Sequence, residues 1–206
     1  MHTSEPSTKA PARPMRADAR RNRESILAAA RGLFAERGAG VEMSEVAERA
    51  GVGVGTLYRR FPDKDALVHE LLGERFRELA ACYQRRLSGE GSAWERLEGA
   101  IRDACAIQDR DRGLAEALSA TGLEQHEPVA RSTPGLLETM QRLVDEAVAE
   151  GSARADLTWE DLVMCLCGVG HTISCAEHLP GRWDRLLEIQ LSGLRATAWE
   201  GPAAAP

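Results

Sequence analysis

The residues best equipped for chemistry lie in the stretch 43–67, MSEVAERAGVGVGTLYRRFPDKDAL, where Thr56, Tyr58, Arg59, Arg60 and Lys64 crowd a short segment. Arginine can pair bidentately with guanine, and threonine can meet a thymine methyl group or a phosphate. A tyrosine hydroxyl reaches phosphate while its ring rests on protein, and Gly55 lets a backbone approach closely. Val54, Leu57 and Phe61 follow three-to-four spacing, which predicts that they pack inward and leave Gly55, Thr56, Arg59 and Arg60 outward or sideways. Lys64 falls in the first turn of the following helix, where the helix dipole disfavours a cation and a phosphate would compensate. Taken singly, the arginines could be solvated and Tyr58 a packing residue. Their order, beside a basic arm, points to double-stranded DNA.

A second constellation is Cys167, His171, Cys175 and His178, spaced four, four and three apart and hence on one face of a helix. Thiolate and imidazole suit zinc or copper. The four span about 16 Å at a rise of 1.5 Å per residue, too far for one mononuclear site. Packing at an interface is the primary reading, and a metal- or thiol-redox-responsive regulator is the alternative. Catalysis has no support: no glycine-rich phosphate loop follows a strand, and no Ser/His/Asp set has a fitting context. Glu124, His126 and Glu127 read as a solvated loop cluster. The chain is expected not to be an enzyme and to need no cofactor.

Positioning these residues requires helices. Ile26, Ala29, Ala30, Leu33 and Phe34 share one face of a first helix, which Gly38 and Gly40 end. A second helix is expected from Ser44, as N-cap, to Ala50, with Val46, Ala47 and Ala50 inward and Gly51 left-handed at its end. The third covers 54–61. Pro62 stops it, and Asp63 caps a fourth over 64–87. Further helices are predicted over 94–107, 112–121, 134–150, 159–178 and 183–199. Thr158 and Asp161 are spaced as a capping box for the second-last of these. No alternation suggests a strand. The expected fold is all-α, about nine helices.

Composition agrees. Of 206 residues, 43% are hydrophobic and 28% charged, and no apolar run approaches the roughly 20 residues that span a bilayer. A polar, basic start with no apolar stretch does not resemble a secretory signal, and five cysteines do not pair into a disulfide framework. A cytoplasmic location without membrane contact is expected. Net charge is −6, yet residues 1–65 carry 12 basic and 9 acidic residues, leaving all of the negative excess to the remainder. A basic module is joined to an acidic body.

The stretch resembles the DNA-binding domain of TetR/AcrR-family transcriptional regulators. The likeness rests on Phe34 and Gly38 closing the first helix, EVAERAGV at 45–52, GTLYRRF at 55–61, and Pro62, Asp63 and Lys64. It covers roughly residues 19–79. The segment GSARADLTWEDL and the run RGLAEAL at 112–118 resemble the regulatory half of the family, the latter its SbtR-like subgroup. Residues 1–18, rich in Pro, Ala, Ser and Arg with little apolar content, read as a disordered basic arm, and the resemblance implies a helix-turn-helix domain at 19–79 with its motif at 42–61. A helical ligand-binding and dimerisation domain at 80–199 and a disordered tail at 200–206 complete the division. It implies that Ser44 touches phosphate, and that Thr56, Tyr58 and Lys64 contact DNA. With Val54, Gly55, Arg59 and Arg60 these form the candidate DNA-binding set. Gly53, Val54 and Arg60 depart from the family's common residues at those positions.

The same resemblance implies a homodimer, most often a repressor, released from a palindromic operator by a small-molecule effector. Leu162, Leu166, Val169, Ile173, Leu187, Leu191 and Leu194 are the candidate dimer interface, with packing of the subunit's own core as the alternative. Trp94, Ile101, Cys105, Leu114, Leu118, Met140, Val144 and Met164 are the candidate effector pocket, again with plain core packing as the alternative.

Overall fold

The computed structural model describes residues 13–114, 133–174 and 183–196, with backbone alone at 13–17 and 174. Among these residues the secondary structure is helical, apart from one isolated bridge between Ala153 and Arg195. Helix α1 (Arg13–Arg37) leads through a 3-10 turn (Gly38–Gly40) into α2 (Met43–Ala50) and α3 (Val54–Arg60). Then come α4 (Lys64–Leu87), α5 (Ala93–Arg110), α6 (Leu136–Ala149), α7 (Trp159–Ser174) and α8 (Trp183–Leu194). The fold is all-α, as the sequence indicates.

Local chemistry sets most boundaries. Gly51 ends α2 at φ +67°, and the amides of Gly51 and Val52 close onto the carbonyls of Glu48 and Ala47 at 3.1 and 3.0 Å. The Asp63 carboxylate accepts from the Ala66 amide at 2.7 Å to start α4. Ser92 with Glu95, and Thr158 with Asp161, form reciprocal caps on α5 and α7.

Three boundaries differ from expectation. The first helix begins at Arg13, inside the stretch expected as an arm. Pro14 is tolerated in a first turn, and the following Met, Arg and Ala residues are good helix formers. Helix α2 begins at Met43 with Glu42 at its N-cap, whose amide donates to the Glu45 carboxylate at 3.0 Å. Ser44 is therefore inside the first turn and not the cap. Helix α8 stops at Leu194, because the chain beyond it turns to pair with the α6–α7 connection. There Arg154 donates its amide to Leu194 and Ala196 donates to Ser152, both at 3.0 Å.

The helices bury two apolar cores. One joins α1, α2, α3 and the first half of α4 around Ile26, Phe34, Val46, Leu57 and Leu71. The other joins the second half of α4 with α5, α6, α7 and α8 around Leu97, Cys105, Leu143, Val169 and Leu191. Phe76 of α4 packs against both. The segment after α5 returns to the first core: Leu114 is 2% exposed within it. Just before it, a Cβ on Gly113 would stand 1.8 Å from the Phe34 carbonyl oxygen, so only glycine fits this approach.

Candidate nucleic-acid interface

Helices α2 and α3 present one surface built on a buried anchor. Leu57 is fully buried beneath α3, and Phe61 is 3% exposed at its end, where its amide bonds the Leu57 carbonyl at 2.8 Å. Burying two such side chains stabilises the helix pair by about 3–6 kcal/mol. Around this anchor Gly55, Tyr58, Arg59 and Arg60 are exposed and Thr56 is half-buried. Val54, expected inward, is 47% exposed, as is Tyr58. The seven-residue α3 is too short to bury more than one turn's worth of its surface, and Leu57 and Phe61 already occupy that side.

The charges on this surface are the informative part. Elsewhere the described arginine side chains of α1 and α2 are paired. Arg49 forms a fork on Glu36 with both bonds at 2.8 Å, Arg37 bonds Glu45, and Arg23 bonds Glu70. The Arg49 and Arg37 guanidinium groups hold the Glu36 and Glu45 carboxyls below the ordinary carboxylate range, Glu45 chiefly through the Glu42 amide. Among the described residues, Arg59 makes only a 3.4 Å contact to the Thr56 hydroxyl, and neither Arg59 nor Arg60 meets a carboxylate. A Cβ on Gly55 would meet nothing within 4 Å, so the space over it is open.

Lys64 is placed differently from the expectation. Its ammonium bonds the Ala39 carbonyl and lies 5.8 Å from the centroid of the Phe34 ring. The free carbonyl of the 3-10 turn supplies the compensation that a phosphate was expected to give. Ser44 is exposed in the first turn of α2, where backbone N–H groups lack helical partners.

Geometry also brings in residues that the motif alone did not reveal. A cleft of about 440 Å³ runs between α1 and α3, lined by Asp18, Ala19, Asn22, Arg23 and Ile26 on one wall and Thr56, Arg59 and Arg60 on the other, with the Asp18 carboxylate taken by Arg21. The only sequence signal for Asn22 was its place in a basic run. A larger open cleft of about 810 Å³ at the far end has two of its three arginines engaged, Arg86 by Asp103 and Arg96 by Glu146, both at 2.7 Å.

The distal half, α5 to α8, differs from several expectations. Leu162, Val169, Ile173, Leu187, Leu191 and Leu194 are all buried in the subunit's own core, and Leu166 is partly so. In this structure the α7–α8 pair turns the six buried residues of this stripe toward the chain's own core, and Leu166 alone keeps part of its surface outward. Of the pocket candidates, Trp94, Ile101, Cys105, Met140 and Val144 do share that core. Met164 is instead 73% exposed on the outer side of α7, and Leu114 belongs to the DNA-side core. Leu118 lies outside the described residues.

Cys167 and His171 are exposed one turn apart on α7, whereas Cys175 and His178 lie outside the described residues. Among the described residues no three metal-binding side chains converge. Burial pushes the Cys105 thiol up to about 12 and the Cys82 thiol, which also donates to Asp103, up to about 11. Both thiols stay protonated and unreactive at neutral pH. No described helix is long and apolar enough to cross a membrane.

Comparison with known proteins agrees with this surface. Residues 26–71 match "Bacterial regulatory proteins, tetR family", and residues 95–196 match "Transcriptional regulator SbtR-like, C-terminal domain". The HTH-type transcriptional repressor KstR of Mycolicibacterium smegmatis is 30% identical over 138 residues, 66% of this chain and 68% of that protein. The crystal structure of a TetR transcription regulatory protein from Mycobacterium vanbaalenii superposes with a TM-score of 0.64 at 35% identity, over 88% of this chain and 99% of that one. The TetR transcriptional regulator SCO0520 from Streptomyces coelicolor gives 0.63 at 32% identity, over 85% and 99%. With both halves matched by models of the family and its relatives, and a repressor 30% identical over 68% of its length, the chain belongs to the TetR family of DNA-binding transcriptional regulators.

Proposed function

We propose that the chain is a homodimeric repressor that lays α3 in the major groove of a palindromic operator and leaves it when a small molecule binds the distal core. The observation that carries this is the pair of exposed, carboxylate-free arginines on α3 within a domain whose other surface arginines are largely paired. In this reading Arg59 and Arg60 meet base edges or phosphates, and Thr56 and Tyr58 flank them. Val54 and Gly55 lie against the groove floor, and Ser44 with the first-turn amides of α2 takes a phosphate. Lys64 acts indirectly, tying the 3-10 turn to the start of α4. Asn22 of α1 faces the same strand across the cleft.

The subunit contact is assigned to the outer side of α7 and α8. Met164 and Ile189 are exposed there at 73% and 55%, with Cys167, Gly168, His171 and Gly193 on the same outward faces. A Cβ on Gly193 would meet nothing within the subunit, so the glycine leaves room for a second helix. Two recognition helices about one DNA turn, roughly 34 Å, apart then read a palindrome. A gel shift on the DNA upstream of its own gene, at low and physiological salt, tests the reading. A retarded band that weakens with salt is expected, and no band under either condition sinks it.

A further inference from the structure

Where the two cores meet, the interior holds two charged side chains, Arg75 and Asp111, 7% and 2% exposed. Arg75 lies on the buried face of α4 between Leu72 of the DNA-side core and Leu79 of the distal core. Its Nε has no hydrogen-bond partner, and among the described residues no carboxylate lies within ion-pair distance of its guanidinium. Asp111 is occupied elsewhere, by Arg110 at 3.3 Å and Arg31 at 3.9 Å. Those two arginines also engage Glu78, at 2.7 and 3.8 Å. Two turns beyond Arg75 on the same face is Tyr83, buried, with no hydrogen bond from its hydroxyl among the described residues. Arg75 lies within electrostatic reach of Tyr83, Asp111 and Cys167 of α7.

An arginine does not shed its proton to escape burial. An uncompensated interior guanidinium is strongly unfavourable, and the group that relieves it is an anion. We propose that Arg75 and Tyr83 form the recognition end of a binding site for a small monocarboxylate with an apolar body. The guanidinium takes the carboxylate oxygens in its planar fork. The tyrosine hydroxyl donates a further bond, and the body packs in the distal core toward Leu79 and Cys105. A single negative charge fits because one guanidinium is unengaged. A phosphate dianion would bring a second charge toward buried Asp111 with no cation left to meet it. The proposal rests on the effector-controlled reading above and gives that effector its chemical class.

The test uses the full chain and matched probes: butanoate, octanoate and benzoate against butanol, octanol and benzyl alcohol. Thermal melting and operator binding are read in the same preparations. In the wild type a carboxylate is expected to raise the melting temperature and release DNA, and its alcohol to do neither. Arg75→Met, which removes the unpaired charge and keeps the volume, is expected to melt at or above the wild type and still bind DNA. Its carboxylate affinity should fall about tenfold or more, the worth of a charge-assisted hydrogen bond. Arg75→Lys should retain part of the response, and Tyr83→Phe should weaken it less than Arg75→Met does. Carboxylates acting no better than their alcohols, or acting equally on Arg75→Met, overturn the proposal. So does an Arg75→Met protein that melts lower while no carboxylate acts on the wild type, since Arg75 is then structural. Loss of DNA binding by the ligand-free wild type would instead overturn the regulator reading, so the two failures are distinguishable.

Discussion

Arginine is used in opposite ways at α3 and at the junction of α1, α4 and α5. At the junction Arg23, Arg31 and Arg110 each reach one or more acidic partners among Glu70, Glu74, Glu78 and Asp111, and Arg31 of α1 ties the first half to Glu78 and Asp111 of the second. On α3, Arg59 and Arg60 have no such partner among the described residues. The same side chain becomes structural or available according to whether acidic residues are supplied within reach. The segment 50–62 contains none. Function here is written as much in the missing carboxylates as in the cations.

The sharpest way to break this contrast is to replace Arg59 and Arg60 together by alanine. Each base- or phosphate-contacting arginine is worth about 1–3 kcal/mol, so operator affinity should fall about thirtyfold or more in a mobility-shift titration, while thermal melting stays within about 3 °C of wild type, as for surface substitutions. A large drop in melting temperature instead would show that these arginines belong with the structural set.

A smaller effect, in the opposite property, is expected at the junction. Gly113→Ala forces a Cβ to within 1.8 Å of the Phe34 carbonyl oxygen, so backbone must move. The cost is about 1–3 kcal/mol, visible as a lowered denaturation midpoint, with α3 itself untouched. An unchanged midpoint would mean that the 112–114 turn is not held against α1.

The smallest effect comes from acid. The Arg110 fork holds the Glu78 carboxyl below its ordinary value of 4.5. A depressed native pKa contributes stability that is present above 4.5 and is lost as pH falls through the native value. Melting temperature should therefore decline on acidification below about pH 5, and the decline should be shallower in Glu78→Gln. Equal slopes would show that this pair, being partly solvated, contributes nothing measurable.

What could be read in the sequence was whatever short-range chemistry decides. Gly51 needs a left-handed backbone, Asp63 follows a proline that cannot extend α3, and Ser92 with Glu95 closes its own cap. Each signal is complete within four residues. Ser44 is not the cap because Glu42 and Glu45 form a competing reciprocal pair whose cap stands two residues earlier. What could not be read was which neighbour an apolar face meets. Periodicity showed that Leu162, Val169, Leu187 and Leu191 share a stripe, and that stripe could face a partner or the subunit's own α5. It faces α5, and Met164 and Ile189 take the outside. Within the site, Thr56, Tyr58, Arg59 and Arg60 were legible from type and spacing. The wall supplied by Asn22 was not, because it is brought there by the packing of α1 on the helix pair.

The position of Leu114 bears on how this protein can be taken apart. Its side chain completes a core otherwise made wholly by residues 26–72, although it stands some forty positions further along the chain. A chimera that transplants only the first four helices onto another sensor would carry an unfilled socket, at a cost of about 2–5 kcal/mol. The reading head is therefore not a detachable cassette. Its natural cut point lies beyond residue 114, and recombination between relatives must exchange that residue together with the head it plugs.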